Sequence, residues 1–369
     1  MKTKLIFLAL TLLFVRNLSG QTTDEEINAI VDSFRVEYKV PAIAAAVLMP
    51  DTIRYGLTGQ KRIDQPDQIS LPSRFHLASN TKAITATLAA RLVEQGIIKW
   101  NEKLVDAIPE LKTNVHAAYE NITLEQLLSH RAMIAPFEEE NSPEWKNIPE
   151  SVLMADNPRL SFARYALGLE PVKAKEPFLY SNGGYILAAL MLEFKSGKTW
   201  EMLVEELFTE LKLDYFTGFP SQQNPNDTHG HHRKGKKYKP VSPDEEYPLD
   251  AYFSPAGNLS MSLVDFSKFI KIHLDGLMDK ENILKPDTYQ KLHYGYPGYA
   301  LGWYNGNIGE TNQKFSYHGG SLGSFSSAVI ISADRAVAIV ILINSDDKQT
   351  SKLKKELRIN LWDKYGTRK

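Results

Sequence analysis

Apolar residues at Ile27, Ile30, Val31 and Phe34 recur at i, i+3, i+4 and i+7, the spacing of one helix face, and Pro41 closes the segment. The spacing predicts an amphipathic helix over 24–37. Ala42–Met49 and Thr52–Thr58 flank the turn signal Pro50-Asp51 and predict a hairpin whose first strand is apolar enough to be covered on both faces. Helical period returns over 80–95, with Ile84, Leu88, Leu92 and Val93 inward and Gly96 as the stop. Thr123 to Gln126 spells a capping box, and 183–195 and 200–211 predict two helices parted by Ser196-Gly197. From about 215 to 250, Pro, Asn, Asp, His and Lys dominate and the periodicity vanishes, which predicts loop or hairpin. A strand at Lys314–Tyr317, a hairpin of Phe325–Ser332 and Ala336–Asn344, and a terminal helix over Thr350–Tyr365 complete the pattern. Helix, hairpin, helical middle, hairpin, helix implies one sheet built from both chain ends with a helical insertion between them.

The first residues read differently. Lys2 and Lys4 precede an apolar run, Leu5–Val15, followed by the small residues Ser19 and Gly20 and a polar segment from Gln21. That is the layout of a secretory signal peptide over 1–20. The run rises only about 16 Å as a helix, roughly half the hydrocarbon thickness, so a leader fits better than an anchor. The expected product is exported, periplasmic or extracellular, with no stable membrane span after cleavage.

Composition narrows the chemistry. The 369 residues are 43% hydrophobic and carry a net charge of -1, so no global basic field exists to hold nucleic acid. Without cysteine there is no disulfide, thiolate metal site or thiol nucleophile, so covalent catalysis must use oxygen or nitrogen.

Serine becomes a nucleophile when a base takes its proton, and a lysine three residues on lies on the same helix face. S-x-x-K occurs at Ser79–Lys82, Ser345–Lys348 and Ser351–Lys354. Ser345 leaves an apolar strand into Asp346-Asp347, and Ser351 sits among solvated lysines, whose ammonium keeps its ordinary pKa. Only Ser79 opens an apolar helix, where desolvation would push Lys82 toward neutrality. The same letters also describe an N-cap serine with a snorkelling lysine. Tyr180-Ser181-Asn182 precedes Gly183-Gly184 and an apolar helix; a phenol beside a lysine can ionise below its usual value and act as a base, and an amide can position a substrate, or Asn182 can simply cap the helix. Tyr119–Asn121 repeats the spacing. His318-Gly319-Gly320-Ser321 lies where a strand leaves toward Phe325, and glycines there let a backbone N–H approach an oxyanion, or make only a turn with a surface histidine.

Two rival motifs are weak. Gly319–Gly323 spells G-x-S-x-G, but an α/β-hydrolase needs its histidine after the serine, and all nine histidines precede Ser321. His229 and His231 share a strand face, yet Arg233 and Lys234 follow and would repel a metal ion. The run Arg233–Lys239 reads as a solvated hairpin. Neither a metal nor another cofactor is expected.

Ser79-Asn-Thr-Lys82, Tyr180-Ser-Asn182 and His318-Gly-Gly320 together resemble the serine β-lactamase and penicillin-binding-protein superfamily. The likeness is to its class C β-lactamase, D-alanyl-D-alanine carboxypeptidase and lactamase-fold esterase branch. Leu127–His130, Ser254–Gly257, Gly298–Trp303 and Tyr317–Ser326 extend the likeness over about 25–345. The resemblance implies an α+β fold, an antiparallel sheet flanked by helices with a mostly helical insertion: one domain over 21–369, its sheet part about 21–75 and 250–369 and its helical part about 76–249. It implies Ser79 as acylated nucleophile, Lys82 as its base, Tyr180 as the base for deacylation, Asn182 in substrate positioning, and the N–H groups of Ser79 and Ser321 as oxyanion hole. His318 would stand where lactamases have the lysine of Lys-Thr-Gly, and Gly319 replaces the threonine that helps bind a substrate carboxylate. Arg131-Ala-Met replaces the Thr-Ser-Gly that commonly follows Leu-Leu-Ser-His, which reshapes the loop over the site. The expectation is a secreted serine hydrolase acting on a small ester, amide or short peptide, esterase or D-amino-acid peptidase rather than lactamase. The alternative is a non-catalytic protein that binds or senses penicillin or peptidoglycan peptides.

Overall fold

The computed structural model describes residues 23–113, 115–138, 142–173, 177–247 and 249–366; the leader expected over 1–20 lies outside them. Strands β1 (Ala42–Met49) and β2 (Thr52–Gly59) come from the front of the chain, and β8 (Tyr304–Asn307), β9 (Lys314–Leu322), β10 (Phe325–Ser332) and β11 (Val337–Ile343) from its end. They form one antiparallel sheet in the order β2-β1-β11-β10-β9-β8. Three shorter strands, β3 (Arg74–His76), β4 (Phe216–Thr217) and β7 (Leu259–Ser262), make a second sheet with β7 central, and β5 (His231–Lys234) pairs β6 (Lys237–Pro240) as a separate hairpin.

Strand alternation divides the core in two. Ile43, Ala45 and Val47 of β1, with Ile339, Ile341 and Ile343 of β11, point to one side. There they meet Ile27 and Val31 of helix α1 (Glu25–Tyr38) and Leu353, Leu357 and Leu361 of the terminal helix (Lys348–Tyr365). Ala44, Ala46, Val340 and Leu342 point to the other side, toward helices α2 (Thr81–Glu94), α3 (Asn182–Ser196), α4 (Trp200–Leu211) and α5 (Leu263–Leu277). A sheet covered on both faces explains why β1 and β11 read as unbroken apolar runs.

α2 departs from the one-sided burial expected of it. Every residue from Thr81 to Ala90 is buried, together with Leu92. Ala83, Ala86, Ala89 and Ala90 let neighbours approach around its whole girth, so polar Thr81, Lys82, Thr85 and Thr87 are carried into the interior. Each then needs a partner there: Thr85 Oγ1 donates to Pro255 O at 2.8 Å, and Thr87 Oγ1 to Ala83 O at 2.8 Å. The capping box is present in both halves, Thr123 N–H donating to Gln126 Oε1 at 2.9 Å and Gln126 N–H to Thr123 Oγ1 at 3.4 Å. Among the described residues no helix is long and apolar enough to cross a membrane.

Candidate active site

Ser79 stands in a single 3-10 turn, Ala78–Asn80, that leads into α2. Ala78 adopts the left-handed conformation, φ 48°, which costs a residue with a Cβ roughly 1–2 kcal/mol and must be held in place by its surroundings. The holding groups come from far along the chain. Ala78 N–H donates to His76 Nδ1 at 3.2 Å, and His76 Nε2 donates to Asn258 Oδ1 at 3.1 Å; burial lowers this imidazole to about 4, so it serves neutral. Asn80 Nδ2 donates to Ser327 Oγ at 2.7 Å, and Ser327 Oγ donates to Leu77 O at 2.7 Å. The N-cap of α2 is Asn80, with no side-chain cap bond, so the Ser79 hydroxyl is not spent on capping.

Lys82 is fully buried, its Nζ 2.6 Å from Asn182 Oδ1, 2.7 Å from Ala256 O and 3.2 Å from Ser79 Oγ. Burial lowers its pKa to about 7, and the Glu138 carboxylate pulls the other way. A neutral amine has two hydrogens and one lone pair. The two shorter contacts end on oxygens that only accept, so they take the hydrogens and the lone pair is left to receive the Ser79 O–H. Asn182 is fixed for this by its own Nδ2, which donates to Phe137 O at 2.8 Å. It is not the helix cap; Ser181 is, its Oγ accepting from Gly184 N–H at 3.0 Å and donating to Ala135 O at 2.7 Å.

Tyr180 closes the same side. Its ring centroid is 4.9 Å from Lys82 Nζ, and its phenol is hydrogen-bonded with Ser79. The lowered phenol pKa expected beside a lysine is not found: burial raises it well above the ordinary value. A lysine titrating near neutrality supplies little positive charge to offset the loss of solvation, so Tyr180 rests as a phenol. His130 lies under it with ring centroids 4.3 Å apart, its Nδ1 accepting from Ser181 N–H at 3.0 Å.

The opposite wall is β9. The His318–Ser321 segment is strand rather than turn, and Gly320 is required there: a Cβ would lie 2.2 Å from Leu77 O and 2.3 Å from Ser327 Oγ. Its absence lets β9 abut the turn that carries Ser79. His318 is buried, not a surface group. Its Nδ1–H donates to Gly319 O at 2.9 Å and its Nε2 accepts from Tyr299 Oη at 3.2 Å, while burial and the nearby Lys82 lower it to about 3. It therefore presents no cation even in mild acid. Ser321 Oγ donates to Asp346 and Lys354 Nζ donates to Gly320 O at 3.0 Å, both behind the strand.

The other motifs are placed elsewhere. Ser345 is buried, its hydroxyl 3.1 Å from Thr350 Oγ1. Ser351 is exposed, but Lys354 is not the solvated lysine expected: its long stem folds inward and burial lowers its pKa. Ser321 sits within a strand, with no strand-turn-helix elbow. Tyr119 is buried in a turn, donating to Met133 O at 3.3 Å. The His229 nitrogens face Val241 O and Pro225 O, and those of His231 face Asn344 O and the Ile63 N–H, which leaves neither imidazole a lone pair directed at a shared point. Among the described residues no group of three or more potential ligands could hold a metal ion.

These walls enclose a cleft of about 790 Å³ lined by Ser79, Glu138, Tyr180, Asn182, His318 and Ser321 among others. Sequence reasoning found Ser79, Lys82, Tyr180, Asn182 and His318, and the structure brings them together. It missed His76, Asn80, Ser327, the Ala256 carbonyl and Glu138. Ser254–Gly257 and Asn258 carried a signal as a phrase, but Glu138 stands in an aperiodic loop that carries none.

A family model described as Beta-lactamase matches residues 27–361. The chain is 26% identical over 313 residues to Protein flp of Staphylococcus aureus (strain MRSA252), covering 82% of this chain and 59% of that protein, so it spans about three-fifths of that relative's length. It is 23% identical over 334 residues to Penicillin-binding protein 4 of Amycolatopsis lactamdurans, covering 84% and 82%. Among solved structures, the octameric penicillin-binding protein homologue from Pyrococcus abyssi superposes with a TM-score of 0.73 at 19% identity, covering 92% of this chain and 78% of that one. A class C beta lactamase from Rhodobacter sphaeroides superposes with a TM-score of 0.72 at 16% identity, covering 91% and 99%.

Proposed function

The chain belongs to the beta-lactamase family, and from that premise we propose that it is a serine hydrolase that forms an acyl-enzyme on Ser79 and cleaves an ester or amide. What carries this reading is the Lys82 amine, buried with its Nζ 2.6 and 2.7 Å from two accepting oxygens and 3.2 Å from Ser79 Oγ, so that once the amine is neutral its lone pair is left for the Ser79 proton. In the proposed reaction Ser79 Oγ bonds to the substrate carbonyl carbon as its proton passes to Lys82 Nζ. The N–H groups of Ser79 and Ser321 receive the oxyanion. Lys82 returns its proton to the leaving oxygen or nitrogen as that bond breaks. A water then attacks the acyl carbon. It gives its proton to Lys82, directly or through the Tyr180 phenol, which passes on its own proton as it takes one; the bond from the acyl carbon to Ser79 Oγ then breaks as Lys82 returns that proton to Oγ, releasing the acid and restoring the serine hydroxyl and the neutral amine.

The same walls argue against a β-lactam as the preferred substrate. Neutral His318 and the hydroxyl-free Gly319 replace the cation and the threonine that would hold a carboxylate, which points to an esterase or a D-amino-acid peptidase. Short p-nitrophenyl esters are expected to turn over repeatedly, and Ser79→Ala to lose that turnover by at least 10³-fold. A single burst of p-nitrophenol with no further release would instead favour a binding or sensing protein. The leader pattern supports export; Edman sequencing of the protein from its host's envelope or medium is expected to begin near Gln21, and an intact Met1 there would contradict it.

A further inference from the structure

Resting on the acyl-transfer reading of the cleft, we infer that Lys354 is a positioning residue that strengthens the oxyanion hole from behind, by polarising the peptide unit that Gly320 shares with Ser321. Lys354 Nζ donates to Gly320 O at 3.0 Å. That carbonyl and the Ser321 N–H, one of the two donors to the oxyanion in the proposed reaction, are the two ends of a single amide. No peptide bond among the described residues is cis, so the two ends point in opposite directions, the oxygen at the lysine and the N–H away from it.

A donor on the oxygen draws electron density along the conjugated O–C–N unit and leaves the N–H more positive, so hydrogen bonds at the two ends reinforce each other. A charged donor does this more strongly than a neutral one. The benefit grows as negative charge builds on the substrate oxygen, so it falls on the transition state rather than on the bound ester.

The fold builds this contact from three separate segments. The terminal helix lays Leu353, Leu357 and Leu361 on the sheet, and Lys354, beside the first of them, is carried across to β9. Asp346, just past the end of β11, accepts from Ser321 Oγ and faces Lys354 with its charge. Burial pushes this carboxyl up to about 6, which leaves it ionised at pH 7.5. Its charge opposes the burial that draws the Lys354 pKa down, and Arg358, one helical turn on and 5.6 Å from the Tyr317 ring centroid, adds to the lowering. Asp346 thus ties the Ser321 side chain while helping Lys354 keep its proton, and Lys354 holds the carbonyl that precedes Ser321.

Lys354→Met, Lys354→Gln and Lys354→Arg test this at pH 7.5 through two rates, the labelling of Ser79 by a small neutral fluorophosphonate and the turnover of p-nitrophenyl butyrate. Lys354→Met is expected to slow labelling and kcat by about 10-fold each, less than the 10²-fold or more that loss of a whole donor costs, and to leave KM within about twofold. Lys354→Gln, a neutral donor, should fall between Met and the native chain, and Lys354→Arg, a charged one, should stay within about threefold of native. A side chain that served only to pack would give a different order, with Met, which fills the same space, nearest to native. Native rates in Lys354→Met, or a loss carried by KM instead of kcat, would overturn the inference while the acyl-transfer reading stands. Should Lys354→Met fail to fold, the Gln and Arg variants carry the comparison, and equal rates in those two would overturn it. If the native chain takes no label on Ser79 and cleaves no ester, the acyl-transfer reading fails and the inference with it.

Discussion

Lys82→Met is expected to lower kcat/KM for a short ester by about 10³-fold at pH 7.5, within the range contributed by a positioned general base. Methionine fills the space but offers no basic lone pair. Lys82→Arg is not expected to rescue activity, because a guanidinium stays protonated in proteins and cannot take the Ser79 proton. In the native enzyme the rate should rise with pH through about 7, where the buried amine loses its charge, and level off above; the Met variant should lack that limb. The same group makes a stability prediction of definite sign. Its folded pKa of about 7 lies below the unfolded value, so between about pH 7 and 10 the unfolded chain binds a proton that the native one does not. Native stability therefore rises with pH in that window relative to Lys82→Met, by roughly 2 kcal/mol between pH 7 and 9. Urea unfolding of the two proteins at both pH values measures it, and a constant gap would mean that the amine is charged in the fold.

Gly320→Ala is expected to cost at least 10²-fold in kcat, the scale of losing one oxyanion donor. The added Cβ would sit 2.2 Å from Leu77 O, a backbone atom pinned by the Ser327 hydroxyl at 2.7 Å and by Asn80 N–H at 3.2 Å. Neither side can yield cheaply, so β9 must back away from the Ser79 turn and take the Ser321 N–H with it. Overpacking of this kind costs about 1–3 kcal/mol of stability. Gly319→Ala offers the comparison for stability, because its Cβ would meet only Ser327 O, at 3.9 Å. Thermal unfolding should therefore separate the two alanines, and equal midpoints would show that β9 has slack.

Parts of this site were legible because their signals are local. A serine and a lysine three apart at the mouth of an apolar helix, a Tyr-x-Asn before Gly-Gly, and a histidine before paired glycines each report on a few neighbouring residues. The long strands and helices were legible for the same reason: β10 is found over 325–332 and α4 over 200–211 as the periodicity placed them. α5 carries an equally plain signal in Leu263, Phe266, Ile270 and Leu274, which the pattern described above leaves out.

What escaped is non-local. His76 and Asn258 are 182 residues apart, and Leu77 and Ser327 are 250 apart. No spacing rule joins them; only the meeting of β3, β7 and β10 does. The states of titratable groups were illegible for a related reason. A neighbouring lysine suggested an acidic Tyr180 and a glycine turn suggested a surface His318, whereas both are buried and burial sets each neutral. Lys354 shows the converse, a residue in a charged run whose stem turns inward to the sheet.

The most direct measurement is the rate and position of attachment of a small neutral fluorophosphonate, followed by peptide mass spectrometry across pH 5.5 to 9. A single adduct on the peptide bearing Ser79, its rate rising through about pH 7 and absent from Ser79→Ala, is the predicted result. An adduct on another serine, or labelling of Ser79 at a rate indifferent to pH, would contradict the claim that a buried neutral amine makes this hydroxyl a nucleophile.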